Sequence, residues 1–555
     1  MDKRFFLALF LSLIVIAISQ VLFPPPKAVN PPATPADSVR SVTPVAAPAT
    51  PTASAPPAVV SSTPSPADSA KPPTVTAAES TAVAVPKAIY NFSNIGAAPV
   101  SIVIRDYQNR SPTGGLVDLA LPGIPLLGFR LVTGGDTVDL RRVPFSLVRS
   151  SDAQRETLTY SATVGNRQVV ITYAVPRDTA ASYSLQVSGR VPGGAGQTYM
   201  LVDLPSSLRS VEQDTVADQQ SLAYSFKPQR DYAGSVLFGS LDPGERRLQP
   251  GPLKWLAVKS KYFVLGILPQ TGASISEATL TGGPRTSKAA TNASGTAVIP
   301  ISNETFAFDV YAGPQESQRL FRMGREFDQV NPYGWGFLKG VLHPIASEII
   351  RGLLWMHNRL ELSYGWVLII LGILIRLALW PLNQSAMRSS LKMQEIQPKL
   401  QAAQKKYKDP LQQREAIMKV YKEAGVSPFA GLTGCLPALL PMPILFALFF
   451  VFQNTIEFRG VPFMWLHDIS VKDPYYILPL LMGASMYVLS WIGMRNAPPN
   501  PQAKMMMYMF PVMMTVVLLN MASGLNLYYT AQNIAALPQQ WLLARERAKA
   551  RAIAS

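Results

Sequence analysis

Arg376 is the only ionisable residue between Tyr364 and Leu382, in a run otherwise dominated by Leu, Ile, Val and Trp. A charge at the centre of a membrane helix costs about 2.5 to 3.5 kcal/mol on insertion scales, so a chain that keeps one there must solvate it. Two solutions fit. The side chain reaches the nearer interface, roughly 10 Å away, or it faces a hydrated cavity. No Asp or Glu falls within the neighbouring apolar runs to neutralise it, which favours the cavity. A positive potential held there attracts acidic segments and eases polar residues into a bilayer, which is passive and needs no nucleotide.

Other chemistries find few residues to work with. His343, His357 and His467 are far apart and Cys435 is the single cysteine, which excludes intrachain disulfides and thiolate zinc clusters and disfavours a His-based metal site. Residues 90–320 contain no histidine, so the His and carboxylate of two-residue acid/base chemistry are not both there. Gly193-Gly194-Ala195-Gly196 lacks a following Lys and reads as a turn. No catalytic residue, metal or cofactor is expected. Met505, Met506, Met507, Met509, Met513, Met514 and Met521 are flexible thioethers suited to accepting varied apolar partners, although lipid-facing or core packing uses the same residue type.

The elements that must position Arg376 are apolar runs at 361–383, 431–455, 475–494, 505–522 and 524–542. A sixth occupies 1–23, where uncharged residues 5–23 follow Lys3 and Arg4 and extend about 28 Å as a helix. With no Ala-x-Ala site before Pro24, this run reads as an anchor rather than a cleaved signal. Charged residues are 15% of the 555, below the roughly 25% of a soluble domain, and the net charge is +16. Nine Lys or Arg fall in 383–430, Arg495 and Lys504 in the next basic loop, and Arg545, Arg547, Lys549 and Arg551 in the tail at 543–555, whereas 456–474 carries only Arg459 and Lys472. This alternation places both termini in the cytosol.

Between the anchor and the other spans the pattern changes twice. Residues 24–86 hold 16 prolines and no aromatic residue and read as a disordered linker. From 87 to 320 the period is two: Leu158, Tyr160, Ala162 and Val164 alternate, Gly165-Asn166 turns, and Val169, Ile171, Tyr173 and Val175 alternate back. A β-sandwich outside the membrane is expected. Within 321–360, Leu342, Ile345, Ile349, Leu353 and Met356 take helical spacing, as in an interfacial amphipathic helix or one capping the β-domain. Residues 384–430 read as a helical hairpin, its outer face carrying Lys399, Lys405, Lys406 and Lys408. That face suits ribosomal RNA, targeting factors or anionic lipid, and a merely solvated face has the same composition.

The chain from 333 to 543 resembles the YidC membrane-protein insertases. The resemblance rests on Tyr333-Gly334-Trp335, Ile375-Arg376 ahead of Trp380-Pro381-Leu382, Gln397-Pro398-Lys399, Gly434-Cys435-Leu436-Pro437, Met442-Pro443-Ile444, Asp473-Pro474-Tyr475-Tyr476, and Ser523-Gly524-Leu525 leading to Tyr528-Tyr529. It implies a polytopic α-helical bacterial inner-membrane protein of six spans, five forming the core, with a periplasmic β-supersandwich. It also implies a hydrophilic groove containing Arg376, a greasy slide for clients at Met442, Leu445, Tyr528 and Tyr529, and work as insertase and chaperone, alone or beside the Sec translocon. Nascent membrane-protein clients, the ribosome, signal-recognition components and anionic lipids are the partners implied. The chain departs from the family pattern at Pro441 and at Asn520-Met521-Ala522, and Asn520 is expected to restore groove polarity. A small-solute transporter is disfavoured by one unpaired Arg and no visible repeat; a carbohydrate-binding module on an anchor is compatible with the β-region.

Overall fold

The computed structural model describes residues 78–192, 198–270, 272–285, 292–331, 333–334, 338–381, 384, 396, 399–400, 402–403, 406, 409–423, 442–495 and 501–554. The expected anchor at 1–23, the linker up to 77, the turn at Gly193-Gly194-Ala195-Gly196, the first part of the third span with Cys435 and Pro441, and Lys405 and Lys408 lie outside these residues.

Among the described residues, eighteen strands form a four-stranded antiparallel sheet (residues 80–118) and a fourteen-stranded sheet, which share one apolar core. The hairpin at Gly165-Asn166 is present: Arg155–Val164 pairs with Arg167–Pro176 in the register Val164↔Arg167, and Gly165 takes φ 65°. Leu158, Tyr160, Val169, Ile171, Tyr173 and Val175 all point inward and are buried. Buried tyrosines bring a hydroxyl into this core, and each of several finds a carbonyl: Tyr90 donates to Ser182 O, Tyr173 to Ala97 O and Tyr224 to Pro205 O, at 2.6 to 2.8 Å. One boundary moves. Ser80–Ala84, inside the expected linker, is a strand paired with Ala88–Ser93; Thr81 and Val83 are β-branched and alternate, and an open sheet edge was there to receive them.

Short helices α1 (Thr215–Ser221) and α2 (Ser317–Arg322) belong to the β-region. Then come α3 (Lys339–Leu360), α4 (Tyr364–Ala378), α5 (Pro410–Glu423), α6 (Met442–Asn454), α7 (Ile477–Met494), α8 (Pro501–Leu518) and α9 (Ser523–Ala554). α9 packs on α4, α6 and α7, and α8 packs on α7. α9 continues through the expected tail, so 543–554 extends the last helix. Among the described residues α7 is long and apolar enough to cross a bilayer, while Tyr364–Ala378, Pro443–Asn454 and Met507–Leu518 are apolar but shorter. One face of α3 packs on protein: Leu353 and Met356 are buried with Val451 and Phe452 of α6 in one cluster, while Val341 and Trp355 are exposed.

Candidate functional site: a polar seam among apolar helices

Arg376 sits in the last turn of α4, where a cation also complements the helix dipole. Its Nη2 donates to Gln539 Oε1 of α9 at 2.8 Å, and Gln539 Nε2 donates to Trp380 O at 3.2 Å. Gln539 is 2% exposed. Arg376 Nε is buried without a partner, and among the described residues no carboxylate forms an ion pair with this guanidinium.

Gln539 is not the only interior polar residue of α9. Asn526 and Thr530 are buried, and with Asn533 and Gln540 they follow helical spacing along one side of the helix, whereas Gln539 lies about 120° around from Asn533, on the side that meets α4. Asn526 Nδ2 donates to Leu518 O, Thr530 Oγ1 to Asn526 O, and Asn533 Nδ2 to Ser485 Oγ of α7 at 3.1 Å. Asn526 Oδ1 and Gln540 Oε1 are buried and unpartnered. From Asn526 to Gln540 this series covers about 21 Å of helix, and the Arg376–Gln539 contact lies beside its Gln540 end, so that together they form a polar seam. Its surroundings are opposite in character: Ile373, Leu374 and Leu377 of α4, Leu480 and Leu481 of α7, and Met509, Phe510 and Val512 of α8 are exposed.

The end of the seam near Asn526 is closed by backbone contacts. Ser523 N donates to Val471 O at 2.7 Å and Gly524 N to Ile469 O at 2.9 Å. A Cβ at Gly524 would meet Ile469 O at 3.2 Å, which explains the glycine. Buried Asp473 accepts from Tyr475 N and Leu478 N, tying the loop to the start of α7. This closure is bolted to the β-domain. Arg459 Nε donates to both carboxylate oxygens of Glu212, and Arg110 pairs with Asp468 at 3.0 Å. Burial pushes the Glu212 carboxyl up, and Arg459 partly offsets that. Glu457 accepts from Ser317 N through Oε1 while Oε2 is shut off without a partner; burial pushes its pKa up to about 6.

The expected site residues divide. Arg376 is on the seam. Asn520 is exposed in the turn between α8 and α9, 19 residues before Gln539 and so away from Arg376. Tyr528 is 1% exposed, its ring 5.3 Å from Tyr529 and 6.4 Å from Phe452, and its backbone lies against Gly372; it is interior, whereas Leu481 is 45% exposed. Leu445 and Tyr529 are half-buried, and Met442 opens α6. Lys399 and Lys406 are exposed. Sequence reading missed Asn526, Thr530 and Asn533, whose signal was polar residues recurring at helical spacing inside an apolar run, and Gln539, which that spacing does not include.

The family model described as 60Kd inner membrane protein matches residues 355–550, and that described as YidC periplasmic domain matches residues 90–344. The membrane protein insertase YidC of Chlorobium phaeovibrioides is 33% identical over 413 residues, covering 68% of this chain and 67% of that one. The protein of the same name from Chlorobaculum tepidum is 31% identical over 486 residues, covering 81% and 79%, and that from Anaeromyxobacter dehalogenans is 30% identical over 453 residues, covering 79% and 77%. With its β-region matched by the one model and its helices, seam included, by the other, the chain belongs to the YidC family of membrane protein insertases.

Proposed function

We propose that the chain, as a bacterial inner-membrane insertase, admits hydrophilic stretches of client membrane proteins to the Arg376–Gln539 end of the seam while apolar stretches leave sideways into lipid. The supporting observation is a guanidinium held by a neutral amide with no carboxylate partner among the described residues. Such a charge keeps its field available to an acidic client segment, which a salt-bridged arginine does not. The unpartnered oxygens of Asn526 and Gln540 favour a polar guest, since a buried acceptor without a partner costs about 1 to 3 kcal/mol. The seam thus lowers the cost of dragging polar residues into the bilayer, and the closure near Ser523 prevents an open leak.

In this reading there are six spans, both termini are cytosolic and the β-domain is periplasmic. Clients are nascent membrane proteins, with the chain also acting as a chaperone beside the Sec translocon. Lys399 and Lys406, exposed on the cytosolic hairpin, meet ribosomes, signal-recognition components or anionic headgroups. Met442 and Leu445 of α6, with Tyr529, line the client path, and Tyr528 joins it only when α4 and α9 part.

The test is reconstitution of Arg376 variants into liposomes with a small client carrying an acidic tail. Insertion should fall in the order wild type, Arg376→Lys, Arg376→Ala, Arg376→Glu, with the spread shrinking for a neutral tail. Equal insertion of the acidic client by the Lys and Glu variants would falsify the role of the charge.

A further inference from the structure

Far from the seam, α2 and α3 enclose a cleft of about 230 Å³ whose lining includes Phe321, Arg322, Asp328, His343, Arg351 and Leu354. A second cleft shares Gln318, Arg351 and Leu354 with it and extends the surface to Trp355 and Arg359. Trp355 is 62% exposed and Phe321 67% exposed. Arg351 and Arg359 stand four residues before and after Trp355, so the three share one face of α3. Arg322 approaches from α2, across the first cleft.

Among the described residues Arg322 and Arg359 form no ion pair, and Arg351 gives one donor to exposed Glu348 at 2.7 Å. The floor supplies little countercharge: burial pushes the Asp328 carboxyl up and the His343 imidazole down, each toward its neutral form. The surface therefore combines planar cationic donors with an exposed indole and phenyl ring. It lies just before α4, at the end of that helix opposite Arg376.

We infer that this joint between the β-domain and α3 binds the headgroup of an anionic glycerophospholipid of the outer leaflet. Arg322 and Arg351 hold the phosphate diester, Arg359 lies toward a neighbouring headgroup, and the exposed rings of Phe321 and Trp355 lie along the upper acyl chain. Guanidinium forks match phosphate oxygens, and indole rings settle at the headgroup level. A soluble phosphate would use the arginines alone and leave the two exposed rings without a role, so the bilayer lipid is the better occupant. The site would hold the β-domain at a fixed height over the outer leaflet. This inference rests on the proposed topology, with the start of α4 on the periplasmic side.

The experiment uses the full chain in phosphatidylcholine vesicles containing a fixed fraction of lipid brominated on its acyl chains, either phosphatidylglycerol or phosphatidylcholine. The Trp355 component of quenching is obtained by difference from Trp355→Phe. Brominated phosphatidylglycerol should quench it in excess of brominated phosphatidylcholine. Arg322→Gln and Arg351→Gln should each reduce the apparent affinity behind that excess about fivefold, the factor that corresponds to about 1 kcal/mol per basic side chain at an anionic surface. Glu348→Gln, which frees Arg351, should increase it, an opposite sign that misfolding does not produce. Equal quenching by the two lipids, or an excess unchanged in both arginine variants, overturns the headgroup site while leaving the topology standing. Absence of quenching by either lipid overturns the topology and the site together.

Discussion

The β-domain and the helical region are packed in opposite senses. In the first, aromatic and branched side chains fill the interior and the hydroxyls among them largely end on carbonyls. In the second, Asn526, Thr530 and Gln539 are inside while Leu480, Val512 and Leu374 are outside. A single rule covers both: each region turns toward its surroundings the surface those surroundings solvate best, water for one and hydrocarbon for the other. Both interiors leave some acceptors unpaired, Asn292 Oδ1 and Gln315 Oε1 in the β-domain and Asn526 Oδ1 and Gln540 Oε1 among the helices, so the contrast lies in which surface is apolar.

The sharpest way to break that contrast is at the junction, where the β-domain rule is applied to a loop of the helical region. The Arg459 and Glu212 side chains are 2% and 9% exposed. Arg459→Met strands a buried carboxylate and should destabilise the junction by about 3 to 5 kcal/mol, whereas adding Glu212→Leu should restore most of the loss. Thermal unfolding of the detergent-solubilised chain, with protease cutting at 456–474, reads both. If the double variant is no better than the single one, the pair is not what holds the loop.

Two valines of equal exposure compare the regions directly. Val148, on the strand Ser146–Ser151 of the β-domain, is 64% exposed, and Val512 of α8 is 65% exposed. Val148→Arg should change stability by no more than about 0.5 kcal/mol. Val512→Arg should cost about 2.5 to 3.5 kcal/mol of membrane integration, read as a loss of carbonate-resistant protein. Similar tolerance at both positions would mean that α8 does not face lipid.

Glu457 places a titratable group at the same junction. Its folded pKa of about 6 lies above the ordinary 4.5, so the folded state holds a proton that the unfolded chain has released. The resulting stability is fully present below pH 4.5 and is lost as pH rises through 6. Glu457→Gln should remove that dependence and raise stability above pH 6 by about 2 kcal/mol, the 1.5-unit gap converted at about 1.4 kcal/mol each. Melting curves of the two proteins at pH 4.5 and 7.5 should differ only at the higher pH.

What the sequence disclosed follows from which signals are local. Strands with one buried face repeat every two residues, so Tyr160 and Ile171 announced themselves. Ser80–Ala84 did not, because its composition continues that of the proline-rich stretch before it. In the helices the lipid-facing and protein-facing sides are both apolar, so hydropathy located Tyr528 and Leu481 in spans without saying which turns inward. Arg376 stood out as a charge in an apolar run. Its partner Gln539 lies 163 residues away, and no local pattern connects them. Asn520 was a substitution in a motif, and motifs do not report which end of a helix a turn occupies.

The smallest expected effect tests whether interior polarity in the helices serves stability at all. In the β-domain, Gln315 Nε2 donates to Ser260 O and Phe263 O, both buried contacts. Gln315→Leu removes the donor from two carbonyls and should cost about 1 to 3 kcal/mol. In the seam, Asn533 donates to Ser485 Oγ at 3.1 Å and more distantly to Met482 O at 3.4 Å. Hydrogen bonds between membrane helices average about 0.6 kcal/mol, and Ser485 Oγ keeps its own bond to Met482 O. Asn533→Leu should therefore leave the melting temperature nearly unchanged while slowing insertion of a client with a hydrophilic tail, because one polar side chain is gone from the path. Loss of stability equal to that of Gln315→Leu, with insertion unaffected, would mean that the seam is a structural core like the other and that the route for clients lies along a different face.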